Sequence, residues 1–393
     1  MALAAALVMP AVAPVQATAA PLLVAAPAPA PQAGCPSRQA PPPPAAEEER
    51  TGPAVEPLAW PDEPVGGEQL GTCDTVGPSG APDVTAQGWV LADLDSGAVI
   101  AARAPHARHR PASTLKILTA LVAIRRLDPN AVVEGTAQDQ AIDGSKAGIG
   151  PGGQYTVRQL LAGLLLNSGN DTAEALARAA GGDAAMLTAM TETAQELGAL
   201  DTRPATPSGL DGPGMASSAY DLALLFRVAM REPIFAQTIR TRSVDFPGYG
   251  DRPGFVLYNS SKVLARYEGA LGGKTGYTVA ARHTLVAAAA RDGRRLVVAL
   301  VRGEQSPEPM WRQGTALLDW GFAQPAGQPA VGQLVDARPV PPPPPVAAAA
   351  SAPTPATTPT AAEQALMPIA LGGVAIAAII VGWAALRRRP RRR

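Results

Sequence analysis

The chain's apolar patterning predicts an α+β fold: one antiparallel sheet formed from both ends of a central domain and packed with a mainly helical lobe. Three observations carry this. The run from Trp89 to Ala102 holds two apolar stretches around Asp95-Ser96-Gly97, the pattern of a hairpin. A second hairpin pattern, Thr284 to Ala290 and Leu296 to Val301 around Arg291-Asp292-Gly293-Arg294, closes the domain. Between them most apolar residues recur at helical spacing, so the strands at the two ends must find each other across an intervening helical lobe.

Taken in order, the first hairpin is followed by Pro111 and then Ser113, a residue suited to a helix start. Leu115, Leu118, Leu121, Ile124 and Leu127 then recur every third residue, with Val122 four after Leu118, which predicts a helix from Ser113. Tyr155 to Leu166 and Asp171 to Leu200 are alanine-rich and amphipathic, and each predicts a helix. Tyr220 to Met230 adds another helix and Gly314 to Phe322 a last one. Gly272-Gly273-Lys274-Thr275-Gly276 suits a strand that must approach a ligand closely, because glycine removes the side-chain obstacle.

The globular material is shorter than the 393-residue chain. Residues 1–20 form a signal-like segment, apolar to Val15 and small through Ala20, although no basic residue precedes the apolar run. Residues 21–80 are a Pro/Ala-rich arm with the run Pro41 to Pro44, an acidic patch at Glu47 to Glu49, and both cysteines, Cys35 and Cys73. In an exported chain these two could form one disulfide; a free or lipidated cysteine is the alternative. Residues 81–325 form the globular domain, and 326–365 a second Pro-rich linker whose composition buries too little to fold. Residues 366–386 are apolar or small throughout, long enough to cross a hydrocarbon core of about 30 Å as a helix. The basic tail 387–393, with six arginines, would hold that end in the cytoplasm and the domain outside, on a single-pass protein of the cell membrane.

Composition narrows the chemistry. The formal net charge is zero, so nucleic acid is not an implied partner. The three histidines are scattered and no C-x-x-C or H-E-x-x-H pattern occurs, which leaves metal catalysis, a cofactor site and a Ser-His-Asp triad without their parts. Only four lysines stand against 29 arginines, so a retained lysine points to a role arginine cannot fill. Arginine keeps its proton in a protein, whereas a buried lysine beside another cation can lose it.

Two of the four lysines sit in a three-part pattern: Ser113-Thr114-Leu115-Lys116, then Ser168-Gly169-Asn170, then Lys274-Thr275-Gly276. With 14 serines and four lysines, chance supplies about 0.14 copies of S-x-x-K, and a single copy could be a helix cap with a surface lysine. All three in one order, 55 and 106 residues apart, point instead to nucleophilic catalysis. Ser113 is the candidate nucleophile and Lys116, one helical turn on, its base. Lys274 is the second cation, Ser168 would relay a proton, and Asn170 offers an amide to hold a peptide bond or, more blandly, caps a helix.

The triple pattern resembles the penicillin-binding proteins and serine β-lactamases. Over about residues 85–322 the chain resembles the D-alanyl-D-alanine carboxypeptidases, low-molecular-weight penicillin-binding proteins of actinobacterial type. The segments 111–116, 164–172, 209–217, 273–278 and 317–322 carry this likeness. The resemblance implies a β-lactamase/transpeptidase-like fold and hydrolysis of the terminal D-alanine from peptidoglycan stem peptides through a Ser113 acyl-enzyme. It assigns catalytic roles to Ser113, Lys116, Ser168, Asn170 and Lys274, and substrate binding to Thr275, Gly276 and Tyr277. Thr275 would bond the substrate carboxylate, and the backbone N–H groups of Ser113 and Tyr277 would form the oxyanion hole. The region Thr202 to Ser208 lacks the glutamate that β-lactamases use for deacylation, so β-lactams should inhibit.

Two departures qualify the likeness. A proline linker follows the domain where many relatives have a β-rich second domain, and Arg282-His283 stands where small residues are expected. A penicillin-binding or peptidoglycan-binding sensor with little turnover, and an endopeptidase using the same residues, remain the alternatives.

Overall fold

The computed structural model describes residues 55–336, all within the first of the chain's two units, Met1–Val340. The signal-like segment, most of the arm with Cys35, the linker beyond 336, the 366–386 span and the basic tail lie outside the described residues. Cys73 is disulfide-bonded.

Both ends of the domain do build one sheet. Strands β1 (Thr75–Val76), β2 (Gly88–Asp93) and β3 (Ala98–Arg103) come from the start. Strands β8 (Ala270–Thr278), β9 (Arg282–Arg291), β10 (Arg294–Gly303) and the short β11 (Gly332–Gln333) come from the end. The order is β1-β3-β2-β10-β9-β8, with β11 also on β3, and every pairing is antiparallel. The β2–β3 turn is fixed by Asp93, whose carboxylate accepts the backbone N–H groups of Asp95 and Ser96 and the Ser96 hydroxyl.

Why β9 and β10 read as continuous apolar runs is plain from their packing. Leu285, Ala287, Ala289, Leu296, Val298 and Leu300 face one core, and Val286, Ala288, Val297, Ala299 and Val301 face the other. A strand covered on both faces has no polar side to alternate with. The smaller core is capped by the C-terminal helix Met310–Ala323 and the short helix Lys262–Arg266.

The larger core holds the helical lobe: α1 (Lys116–Arg126), α2 (Ala137–Ala141), α3 (Val157–Leu166), α4 (Asn170–Ala179), α5 (Asp183–Leu197), α6 (Ala219–Ala229) and α7 (Pro233–Arg240). Helix α1 is central, with Lys116 through Ala123 all buried. Two expectations need correction, and one alternative reading falls. The helix predicted from Ser113 begins as a 3-10 turn, Ala112–Leu115, and becomes α-helical only at Lys116. The helix predicted over Asp171 to Leu200 is two helices, separated at Gly181 and Gly182, which take φ of 106° and 97°. Asn170 opens α4 but does not cap it; Gly169 is the N-cap, and the Asn170 side chain points elsewhere. Two small hairpins, β4 (Val132–Glu134) with β5 (Gln154–Thr156) and β6 (Ser243–Phe246) with β7 (Phe255–Tyr258), flank the lobe.

The packed body reaches past the expected 81–325 at both ends. Arg108 donates to the carbonyls of Leu58 and Ala59 and lies 3.5 Å over the Trp60 ring. Gln333 N–H donates to Gly66 O, and Tyr220 donates its hydroxyl proton to Gln333 O.

Candidate active site

The site forms where the Ala112–Leu115 turn, the start of α4 and the inner face of β8 meet. Lys116 reaches back one turn to Ser113, with Nζ 3.0 Å from Oγ. The same Nζ donates to Asn170 Oδ1 at 2.6 Å and to the Ser208 carbonyl at 2.5 Å. Lys274 donates to Ser168 Oγ at 2.9 Å and to the Thr275 carbonyl at 2.9 Å. All three sequence motifs are thus joined by hydrogen bonds through two lysines.

The backbone is bent to allow this. Ala112 and Ser168 both take left-handed φ, 48° and 60°, values that non-glycine residues adopt at an energetic cost. One sits immediately before the candidate nucleophile and the other is the candidate relay itself. Gly209 makes the closest approach: a Cβ there would fall 2.1 Å from the Ala112 carbonyl. A Cβ on Gly276 would fall 2.6 Å from both Ser113 N and Thr284 Oγ1. Only glycine lets β8 run this close to the nucleophile turn. Thr284 on β9 donates to the Pro111 carbonyl at 2.8 Å and ties the turn to the sheet. Lys274 and Gly276 are buried, whereas Thr275 and Tyr277 alternate to exposed positions on β8.

Both lysines are out of water. Burial, then the neighbouring Lys274 charge, hold Lys116 well below the usual lysine range, against an opposing pull from Asp171 and Glu174. Burial alone lowers Lys274 to about 7. Glu174 moves the other way, up to about 7, through burial and the charges of Asp183 and Asp139.

Several participants carry no sequence signal as side chains. The Ser208 carbonyl accepts a hydrogen bond from Lys116 Nζ, and the Asp143 carbonyl accepts one from Asn170 Nδ2 at 2.6 Å. Asp171, which the sequence marks only as part of a helix start, accepts backbone N–H groups of Ala147, Gly148, Ile149 and Thr172. The Asn-Asp pair opening α4 was the signal available for it.

Arg282-His283 begins β9 opposite Tyr277 and Thr278. The Arg282 guanidinium is held by both Glu304 oxygens, at 2.8 and 2.7 Å, so its charge is already paired. The His283 ring lies 4.4 Å from that of Tyr277. Among the described residues one histidine–carboxylate group has ligand atoms within 4.8 Å, His106, Asp201 and Asp221. Its oxygens serve His106, Arg108, Thr202 and a backbone amide, and it anchors the N-terminal arm.

A sheet built from both ends of the domain, a helical lobe, and a serine–lysine turn between them define a DD-peptidase fold. The structure matches a Streptomyces DD-transpeptidase with a TM-score of 0.59 at 28% identity, over 62% of this chain and all of that one. It matches the D-alanyl-D-alanine carboxypeptidase of Mycobacterium tuberculosis H37Rv with a TM-score of 0.63 at 48% identity, over 66% of this chain and 99% of that one. Residues 75–305 match the D-alanyl-D-alanine carboxypeptidase family, and the chain belongs to it. D-alanyl-D-alanine carboxypeptidase DacB2 of M. tuberculosis is 49% identical over 246 residues, 62% of this chain and 84% of the relative. DacF of Bacillus subtilis is 31% identical over 245 residues, of which the match spans 62% of that relative's length.

Proposed function

We propose that the protein is a serine-type D-Ala-D-Ala carboxypeptidase, which removes the terminal D-alanine from peptidoglycan stem peptides. One observation carries the reading: Lys116 Nζ lies 3.0 Å from Ser113 Oγ, buried, with a second buried lysine bonded to Ser168. A buried lysine with depressed basicity is a competent general base for a serine hydroxyl.

Ser113 Oγ attacks the carbonyl of the penultimate D-alanine while its proton passes to Lys116. The C–N bond to the terminal residue breaks as Ser168, bonded to Lys274, relays to the departing amine the proton that Lys116 took, which leaves Ser168 a hydroxyl and Lys116 neutral again. Water then cleaves the Ser113 ester. The closeness of Gly276 to Ser113 N supports an oxyanion hole made from the N–H groups of Ser113 and Tyr277. Thr275, exposed on β8, would bond the substrate carboxylate. Asn170 gives Oδ1 to Lys116 in the free enzyme, so its part is to hold that lysine as well as substrate.

The test is D-alanine release from a peptide ending in Lys-D-Ala-D-Ala by the purified full chain, with Ser113→Ala beside it. Serine-dependent multiple turnover is expected. Penicillin acylation of Ser113 without any release would sink the carboxypeptidase in favour of a binding protein. Release only from cross-linked wall would make it an endopeptidase.

Residues 366–386 supply a membrane anchor, with the domain outside the cytoplasm. The support is sequence alone: 21 apolar or small residues followed by six arginines. Among the described residues no helix is long and apolar enough to cross a membrane. Fractionation of cells expressing the chain with and without 366–393 checks this; equal membrane retention would refute it.

A further inference from the structure

Asn170 is aimed by a loop. Its backbone N–H donates to Ser145 O at 2.7 Å and its Nδ2 to Asp143 O at 2.6 Å, so residues 143–145 determine where Oδ1 points. That oxygen is the one that accepts from Lys116. The loop has little regular structure of its own between α2 and β5. What fixes it is the residue after Asn170. The fully buried Asp171 accepts Ala147 N–H at 2.8 Å on Oδ1, and Gly148 and Ile149 N–H at 2.7 and 3.1 Å on Oδ2. Its Oδ1 also takes the Thr172 N–H at 2.9 Å, which locks the carboxylate to α4. Four N–H donors on one carboxylate are charge-assisted bonds, the strong kind. From the other side Phe255 and Tyr249 of the β6–β7 hairpin close on Gly148 and Gly150.

We propose that Asp171 is a positioning residue for the reaction: its carboxylate clamps loop 143–150 to the start of α4 and thereby aims the Asn170 amide that holds Lys116 against Ser113. The inference rests on the serine–lysine reading above. Asp171 touches neither Ser113 nor Lys116 through a hydrogen bond; it acts through Asn170. An uncharged isostere keeps the volume but presents an amide NH2 toward backbone N–H groups, leaving donors facing a donor.

The experiment measures labelled-penicillin acylation of the full chain, which reports the Ser113–Lys116 pair even without peptide turnover, alongside D-alanine release. Asp171→Asn and Gly144→Ala are compared with the parent. Gly144 is exposed at φ 85°, and a Cβ there would fall 2.7 Å from Asn170 Nδ2, so it displaces the same amide without removing a buried charge. Both variants are expected to acylate about 100-fold more slowly per folded molecule, as small misplacements of a reacting pair do. In Asp171→Asn the acid limb of the acylation profile also moves to lower pH, because the Asp171 charge favours protonated Lys116. Acylation within about threefold of the parent in both variants overturns the proposal. So does a loss that tracks unfolding alone with the pH limb unmoved. If Asp171→Asn does not fold, Gly144→Ala decides. Parent protein that acylates but releases no D-alanine refutes the carboxypeptidase reading and leaves this one standing or falling on the variants.

Discussion

At Lys116 three acceptors surround one nitrogen, and they are not equivalent. Asn170 Oδ1 and the Ser208 carbonyl have no proton to give, whereas Ser113 Oγ has one. A neutral amine has two N–H bonds and one lone pair. Its two donors go to the two pure acceptors, so the lone pair faces the serine proton. This explains why lysine, scarce in the chain, stands here. In Lys116→Arg the charge is retained but the lone pair is gone; penicillin acylation should fall on the order of 1,000-fold or more. Acylation at the parent rate, followed by labelled penicillin, would remove the base role. Lys274 makes a separate prediction about stability. Its folded value is about 7, below that of a lysine in an unfolded chain, so between about 7 and 10 the unfolded state binds more protons. Stability therefore gains from Lys274 as pH rises through that window and loses the gain as pH falls to 7. Lys274→Met should flatten this slope in urea unfolding at pH 7 to 9.5; an unchanged slope would show that the lysine titrates normally. The pattern of serines and lysines was legible because side chains carry it. The Ser208 and Asp143 carbonyls were not, because any residue supplies a carbonyl.

Two elements meet at the nucleophile, the Ala112–Leu115 turn and β8, and their separation is set by an absent side chain. A methyl group on Gly276 would need to occupy space within 2.6 Å of Ser113 N and Thr284 Oγ1 and 2.9 Å of Ala112 Cβ. Gly276→Ala should push β8 off the turn, slow acylation by about 100-fold and destabilise by about 1–3 kcal/mol. Acylation rate and urea midpoint together check this, and a parent-like rate would mean that the strand yields freely. At this scale the sequence was most informative where burial is one-sided or turns are chemically marked. The β2–β3 hairpin showed itself through Asp95-Ser96-Gly97, and α6 and the C-terminal helix through their spacing. The break in the long alanine-rich run was marked by Gly181-Gly182, a turn dipeptide, but the helical spacing on both sides of it masked the signal. The β6–β7 hairpin escaped as well: Val256 and Tyr258 are exposed, and the hairpin is held instead by buried Phe246 and Leu257 and by Phe255 against Gly148, contacts that no local pattern marks.

Across the whole molecule, both Pro-rich segments run into the body and not merely up to it. Composition marks where proline and alanine begin, but it cannot show that Leu70 is fully buried or that Tyr220 waits for residues on both sides. Tyr220 lies 4.6 Å from the His106 ring; it donates to Gln333 O and accepts Val335 N–H. His106 in turn bonds Asp201 at 2.8 Å and the Val65 carbonyl at 3.0 Å. Buried Arg227, bonded to the Leu94 and Asp95 carbonyls, also pairs with Asp336. The first and last described segments are therefore stitched to each other, Gly66 to Gln333, and to α6 beneath. A version cut to 81–325 would expose the Leu70 site, worth about 1.5–3 kcal/mol, and strand the partners of His106, Tyr220 and Arg227. Compared with 55–336, it should melt about 5–10 °C lower, since each kcal/mol moves a body of this size by about 2–4 °C. Its Ser113 and Lys116 lie far along the chain from the cuts, so penicillin acylation at 20 °C should persist while thermal tolerance drops. Equal melting of the two versions would show that the clasp adds nothing, and that the domain ends where its composition changes.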